Sequence, residues 1–262
     1  MTCLPGVYSV TRKDGSVHYR SSITISRKHI SLGTYPSETE ANTAYQEASK
    51  LLDYPDFNIT DYAEQCSILS FSKWISLINY LKTGYYIKNP IILKDTYFVY
   101  YLDQGTAFKF DVDDLFYYSH HKIMKRGGHL FVSDFGMQVN ILSRYGIKNF
   151  AVCGRDYIFV NGDATDFRYK NIQVINKYYG VQRFVQNGLY RYLASIHING
   201  NYQVGIYETE VEAAVAYNKA VDTMRQKGIQ KNFPTNYIIE IDEIAYSSLY
   251  TKIKISKKLR DL

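Results

Sequence analysis

The sequence predicts an α+β protein in which two small modules, each a three-stranded antiparallel sheet plus one helix, flank a central α+β unit. Three observations predict it. Residues 6–52 and 180–224 repeat one skeleton; each copy alternates apolar and polar residues between turn signals before changing to helical spacing; and the stretch between them mixes strand and helix patterns without joining the repeat. The expected divisions are 1–62 and 177–240 for the two modules, 63–176 for a helical linker and the centre, and 241–262 for a helical, basic tail.

The repeat holds residue by residue. Gly6-Val7 matches Gly180-Val181, Tyr19 matches Tyr192, Ile23 and Ile25 match Ile196 and Ile198, and Gly33-x-Tyr35 matches Gly205-x-Tyr207. Beyond that, Glu38, Glu40, Ala41, Ala44, Tyr45 and Ala48 fall without a gap on Glu210, Glu212, Ala213, Ala216, Tyr217 and Ala220. Each copy closes on an asparagine-containing segment, Phe57-Asn58 or Asn232-Phe233-Pro234.

Each module's elements follow from local chemistry. Asp14-Gly15 and Asn187-Gly188 are two-residue hairpin signals, and Asn199-Gly200-Asn201 is another. Residues 19–26 and 192–199 alternate as half-buried strands, with the isoleucines on one face and Ser22 and Thr24, or Ser195 and His197, on the other. Ser37 and Thr209 stand as N-caps before acidic first turns, and Ala41, Ala44, Tyr45 and Ala48 form one stripe of an amphipathic helix. That helix is expected to cover the isoleucine face and leave the other face open. Arg12, Lys13, Arg20, Arg27 and Lys28 are expected on the open side, opposite Glu38, Glu40 and Glu47 on the helix. Lys177, Arg183 and Arg191, set against Glu208, Glu210 and Glu212, make a weaker version in the second copy. A basic open sheet suits a polyanion.

In the middle, apolar residues from Ile68 to Leu81 form a helical stripe ending near Gly84, expected to pack under the first module or to bridge to the centre. Strand patterns follow at residues 97–101 and 130–132. His120, His121 and His129 have no partner at metal-ligand spacing and read as ordinary surface or core residues.

Bulk properties narrow the class. The length of 262 residues fits two or three compact units, and 46% hydrophobic with 16% aromatic residues excludes a disordered chain. The 27 tyrosines, beside abundant Ile, Asn and Lys, read first as an AT-rich codon bias. The net charge of +6 permits a polyanionic partner. Cys3, Cys66 and Cys153 are odd in number and form no C-x-x-C pair, which points to reduced thiols and away from a zinc ribbon. No run approaches a membrane span, and the first ten residues lack a signal-peptide pattern, so a soluble, cytoplasmic protein is expected. The basic tail, Lys252 to Arg260, offers a backbone-touching arm or merely a solvated terminus.

The shared skeleton, GV…(aromatic)…(A/S)-x-I…(L/V)-G-x-(Y/F)-x-(S/T)-x-x-E-A-x-x-A-Y-x-x-A…N, resembles the Apetala-two, or ethylene-response-factor, type of DNA-binding domain over nearly the whole of both copies. The resemblance implies a sheet lying in the DNA major groove, with strand side chains reaching base edges. Carried over, the base-reading positions are Tyr8, Ser22, Thr24, His29 and Ser31 in the first copy and Gln182, Ser195, His197, Asn201 and Gln203 in the second. None of these is arginine, so a GC-box preference does not transfer, and Asn and Gln favour an A·T-containing site.

Residues 139–181 resemble the HNH, or ββα-metal, domain that precedes such a module in phage homing endonucleases. The run Asn161-Gly162-Asp163-Ala164-Thr165-Asp166-Phe167-Arg168-Tyr169-Lys170-Asn171-Ile172 parallels that family's N-G-N-x-x-D-N-R-x-x-N-L. The family's Asp-His pair, a metal ligand and a general base, falls on Ile158 and Phe159, which can serve as neither. The upstream H-R reads Ser143-Arg144, Asn171 persists, and Asp156 and Tyr157 are the only nearby substitutes, tyrosine being a poor base near neutral pH. The resemblance therefore implies a degenerate HNH unit with no catalytic residues, no bound metal and no cofactor.

Together these readings imply a non-enzymatic, double-stranded-DNA-binding protein of a phage or mobile element in a bacterial cell. A transcriptional repressor or site-blocking factor is expected, with neither a membrane nor a small-molecule substrate as partner. The alternatives are a working HNH endonuclease using a cryptic metal site within residues 98–171, and a single-strand or RNA-binding module that stacks bases on tyrosines.

Overall fold

Two three-stranded antiparallel sheets of the same design form near the two ends of the chain in the computed structural model, which describes residues 3–54 and 56–262. Met1 and Thr2, at the head of the first expected module, and Pro55, within it, lie outside the described residues. The described chain is α+β, with several small antiparallel sheets and helices. Contacts divide it into two units, Met1–Asn140 with Asp163–Tyr169, and Ile141–Gly162 with Lys170–Leu262.

The first unit begins with β1 (Val7–Thr11), β2 (Val17–Ile25) and β3 (Lys28–Tyr35), in the order β1-β2-β3. Gly15 turns the first hairpin at φ +83°. The second turn uses no glycine: Ser26 and Arg27 take φ values of 47° and 67°. The helix α1 (Glu38–Asp53) follows, its Ser37 cap accepting from the Glu40 amide at 3.2 Å. Next come α2 (Tyr62–Gln65) and α3 (Phe71–Thr83), the latter ending on Gly84 at φ +75°.

Ile23, Ile25, Ile30 and Leu32 of the sheet share one core with Ala44, Ala48 and Leu51 of α1 and with Trp74, Ile75, Leu77 and Ile78 of α3. The isoleucine face is thus sealed by two helices, α3 packing under the first module as the first of the two expected alternatives. Glu47 explains how α3 is held. This carboxylate, only 5% exposed, accepts from the Ser67 amide and hydroxyl at 2.7 and 2.8 Å, from the Ile68 amide at 3.2 Å and from the Leu69 amide at 2.7 Å. The expected helical stripe from Ile68 therefore starts later, because residues 67–69 spend their N–H groups on Glu47.

The rest of the first unit holds two meanders. The first is β4 (Ile91–Leu93), β5 (Tyr97–Tyr101) and β6 (Ala107–Asp111); after the short α4 (Leu115–His120) comes the second, β7 (Ile123–Arg126), β8 (His129–Asp134) and β9 (Met137–Asn140). Phe110 stacks on Phe98 and Phe167 at 5.4 and 5.5 Å and packs against Tyr118 at 4.4 Å. Residues 165–167 lie along β6 through bonds from the Lys109 amide to the Thr165 carbonyl and from the Phe167 amide to the Lys109 carbonyl.

The second unit opens with the hairpin β10 (Tyr157–Phe159) and β11 (Ile172–Val174). Then β12 (Val181–Gln186), β13 (Leu189–His197) and β14 (Asn201–Tyr207) precede α5 (Glu210–Gln226), the second copy of the module. Thr209 and Glu212 form a reciprocal capping box at its start. The tail is packed rather than free. After α6 (Glu243–Lys252), Ile253 and Ile255 enter the module's core, the Ser256 amide bonds the Val204 carbonyl at 2.8 Å, and Leu259 of α7 (Lys257–Arg260) is fully buried. At the position equivalent to Glu47 stands Lys219, whose ammonium donates to the carbonyls of Tyr250, Thr251 and Ile253.

The repeat's signature residues explain one another. Gly6 and Gly180 sit at φ +73° and +69°, and a Cβ there would lie 2.1 Å from the Tyr45 ring or 2.2 Å from the Tyr217 ring. A Cβ on Gly33 or Gly205 would lie 2.8 or 2.4 Å from the hydroxyl of Tyr35 or Tyr207. Each conserved-in-repeat tyrosine occupies the space that its glycine leaves. Gly6→Ala or Gly180→Ala is expected to cost about 2–5 kcal/mol, combining left-handed strain with overpacking. Urea unfolding measures it, and a loss below about 1 kcal/mol would show the ring moving aside at little cost.

Candidate nucleic-acid interface

In the first module, strand pairing sets which side chains share the uncovered face. Tyr8 pairs with Arg20 and Arg20 with Thr34; Ser22 pairs with Ser31 and Thr24 with His29. A bulge between Ser21 and Ser22 lets Leu32 return to the core without disturbing the alternation of β2. Tyr8, Thr24, His29 and Ser31 are exposed, with Tyr8 57% open and Thr24 Oγ1 3.5 Å from His29 Nδ1. Arg12, Lys13, Arg20 and Arg27 are exposed, and no acid among the described residues pairs with them.

Two expected members of this face sit elsewhere. Ser22 follows the alternation but is 7% exposed, its hydroxyl without a partner, because its amide bonds the Gly6 carbonyl and draws the start of β1 against it. It is out of reach of a base edge. Lys28 pairs with Ile25 and so belongs to the helix side, where its ammonium lies 5.3 Å from the Tyr86 ring centroid.

The second module repeats the geometry with different chemistry. Gln182, His197, Asn201 and Gln203 are exposed and Ser195 is half-buried; Ser195 pairs with Gln203 and His197 with Asn201, His197 Nδ1 lying 2.8 Å from Asn201 Oδ1. Arg183 is the third misplaced residue: it pairs with Tyr192 on the helix side, and its guanidinium stacks 4.6 Å from the Tyr190 ring centroid. Arg191 does face outward, but Glu208, expected on the helix side, reaches it at 3.3 Å. Lys177 is held by Glu240 at 2.5 Å. The positions around them carry Phe184, Leu193 and Ile206, which register brings to the same face. Strand alternation would have revealed Phe184 from Gln182, Leu193 from Ser195 and His18 from Arg20, but not Ile206 or Thr34, which lie beyond the bulges where the alternation of the third strand breaks. The first open face is therefore cationic and unpaired, and the second is polar and apolar with its positive charge compensated.

The segment compared above with an HNH domain forms the hairpin β10–β11, but no α-helix follows β11 before α5 among the described residues. Asn171 is 3% exposed and braces the turn, its side-chain oxygen accepting from the Asn161 amide at 2.8 Å and its carbonyl from the Val160 amide. Asp163 caps its own loop through the Thr165 hydroxyl and amide, and those bonds, with Lys109 at 3.0 Å, bring its carboxyl down to about 2. Asp166 is fully buried against Arg168 in a two-point contact of 2.8 and 2.6 Å.

Asp156 is equally committed, with Arg155 at 2.6 Å, Lys148 at 3.1 Å and the Val152 amide at 2.8 Å around a side chain 2% exposed. Desolvation pushes its carboxyl upward, but the hydrogen bonds from Arg155, Val152 and Lys148 outweigh that and hold it below the usual range. Burial pushes the Tyr157 hydroxyl up, away from any use as a base at neutral pH. Among the described residues no three of His, Cys, Asp and Glu gather as a metal-binding set. Because the folded-state carboxyl of Asp156 lies below its unfolded value of 3.8, its stabilisation is present above about pH 4 and is lost as pH falls through the folded value. Asp156→Asn is expected to flatten the acid limb of a stability–pH curve for the second unit, and an unchanged limb would remove Asp156 from that role.

No helix among the described residues is long and apolar enough to cross a membrane. No family model matches the chain, and neither a curated protein nor a solved structure shows significant similarity to it.

Proposed function

We propose that the chain is a sequence-specific double-stranded-DNA-binding protein that acts by occupying its site, as a transcriptional repressor or other site-blocking factor descended from a homing endonuclease of a phage or mobile element. The observation that carries this reading is the uncovered face of β1–β3, where Arg20, with Arg12 and Arg27 in the adjoining hairpin turns, is exposed with no acidic partner among the described residues, beside the hydrogen-bonding tips of Thr24, His29 and Ser31. Cations of this kind meet phosphates, and short polar side chains on a three-stranded sheet meet base edges in the major groove. A second module on the same chain makes its own contact intramolecular and raises its effective concentration, so an extended, non-palindromic site is expected.

The geometry around β10–β11 favours occupancy over cleavage. Asp156, Asp166 and Asn171 are each consumed by an internal partner, and Ile158 and Phe159 stand where the resembled nuclease needs its metal ligand and base. The test is a footprint on duplexes selected from a random pool, with Mg²⁺ or Mn²⁺ present. A protected, intact duplex preferred over single strands is the expected result. Clean metal-dependent cleavage would replace the occupancy reading with a nuclease, and a preference for single strands would replace it with a base-stacking module.

A further inference from the structure

A cleft of about 920 Å³ lies wholly within the first unit, between the segment following α3 and the helix α4. Its volume falls in the upper part of the range of roughly 300–1,000 Å³ typical of small-molecule sites. Tyr85 and Phe116 stand at it with 70% and 79% of their surfaces open, an unusual exposure for large aromatic rings. Leu93 and Leu115 supply apolar lining.

The charge around the cleft has one sign. Lys88 and Lys122 line it beside His120, no lining residue is acidic, and neither lysine has an ion-pair partner among the described residues. Tyr86, also at the cleft, receives a hydrogen bond from Lys73 at 3.0 Å, and the ammonium groups of Lys28 and Lys73 lie 5.3 and 5.6 Å from its ring centroid. His120 is set in place by Phe116: the rings are 4.8 Å apart, and His120 Nδ1 lies 2.9 Å from the Phe116 carbonyl. The Ser119 hydroxyl lies at the same 2.9 Å from His120 Nδ1, so that edge of the ring is held by two neighbours.

Exposed aromatic rings and unpaired lysines in one cleft suit a flat ring that bears an anionic group. We propose that this cleft binds a nucleotide, its base against Tyr85 and Phe116 and its phosphate at Lys88 and Lys122. Base–aromatic stacking and phosphate–ammonium contacts are the two interactions that these side chains offer. The same chemistry is met in a free mononucleotide and in a nucleotide at the end of a single strand, and nothing in it depends on the duplex-binding reading of the sheets.

Titration calorimetry on the full chain with adenosine 5′-monophosphate, adenosine, inorganic phosphate and a 5′-phosphorylated single-stranded oligonucleotide tests it. The nucleotide, the oligonucleotide or both are expected to saturate the site, with adenosine and phosphate each at least about tenfold weaker, since each keeps half of the contacts. Whichever of the first two binds more tightly identifies the source. Phe116→Ala and Lys122→Ala, both at exposed positions, are expected to weaken binding at least about fivefold with unchanged circular dichroism and unchanged duplex affinity. Absence of saturable binding by both phosphorylated probes, or equal binding by the two variants and the parent, would overturn the proposal.

Discussion

Replacing Arg12, Arg20 and Arg27 together by alanine is expected to lower the salt dependence of duplex binding by about 2.7 in log–log slope, three phosphate contacts at about 0.9 each. Between 50 and 200 mM salt, the parent would then lose roughly 40-fold more affinity than the variant. All three guanidinium groups are exposed and none has an acidic partner among the described residues, so their removal leaves no orphaned charge and the fold is untouched. Lys28 is the internal control. It is basic and exposed but lies on the helix side over Tyr86, so Lys28→Ala is expected to leave the slope unchanged. A variant triple with the parental slope, or a lysine variant that matches the triple, would refute the assignment of the cationic face. Arg183→Ala and Arg191→Ala are expected to have smaller effects, because one guanidinium is stacked on Tyr190 away from the open face and the other is already paired with Glu208.

A large stability effect is expected at Glu47. Its carboxylate takes three backbone amides and a hydroxyl in a site 5% exposed, and truncation to alanine leaves those donors buried with nothing to accept them. A loss of about 4 kcal/mol follows from several charge-assisted bonds broken at once. That corresponds to a fall of roughly 8–16 °C in the melting temperature of the first unit. Lys219→Met, at the equivalent position of the second module, removes a half-exposed ammonium from carbonyls that water can still reach, and is expected to cost only about 1–2 kcal/mol. Differential scanning calorimetry of the two variants separates the effects, and a Glu47 variant that melts with the parent would show residues 67–69 finding other acceptors.

The modules were legible because their signals are local. Asp14-Gly15 and Asn187-Gly188 mark hairpins, Ser37 and Thr209 mark helix starts, and alternation within nine-residue strands marks two faces without knowledge of anything distant. What stayed hidden needs the partner strand or a segment far along the chain. Lys28 and Arg183 are adjacent in sequence to outward-facing residues, and only the pairs Ile25–Lys28 and Arg183–Tyr192 reveal that they point the other way. Glu47 reads as one more acid on a solvated helix face until residues 67–69 fold back onto it, and Lys219 reads as a surface lysine until α6 ends beneath it. The cleft beside Phe116 joins residues 85–93 to residues 115–122, a proximity that no periodicity records. In the nuclease-like run, Asn161-Gly162 and Asn171 were legible as retained motif residues, and the structure adds the bond between them that braces the turn.

Asp163–Tyr169 belongs to the first unit although the chain on both sides of it belongs to the second. Neither half can therefore be excised as one uninterrupted fragment. A protein cut after Asn140 surrenders Phe167, which stacks on Phe110, and the strand-like pairing of residues 165–167 with Lys109, while the remaining piece carries seven residues with no home. Dissection by expression of halves would report on damaged parts, and comparison of intact chains differing at single residues is the sounder way to apportion roles between them.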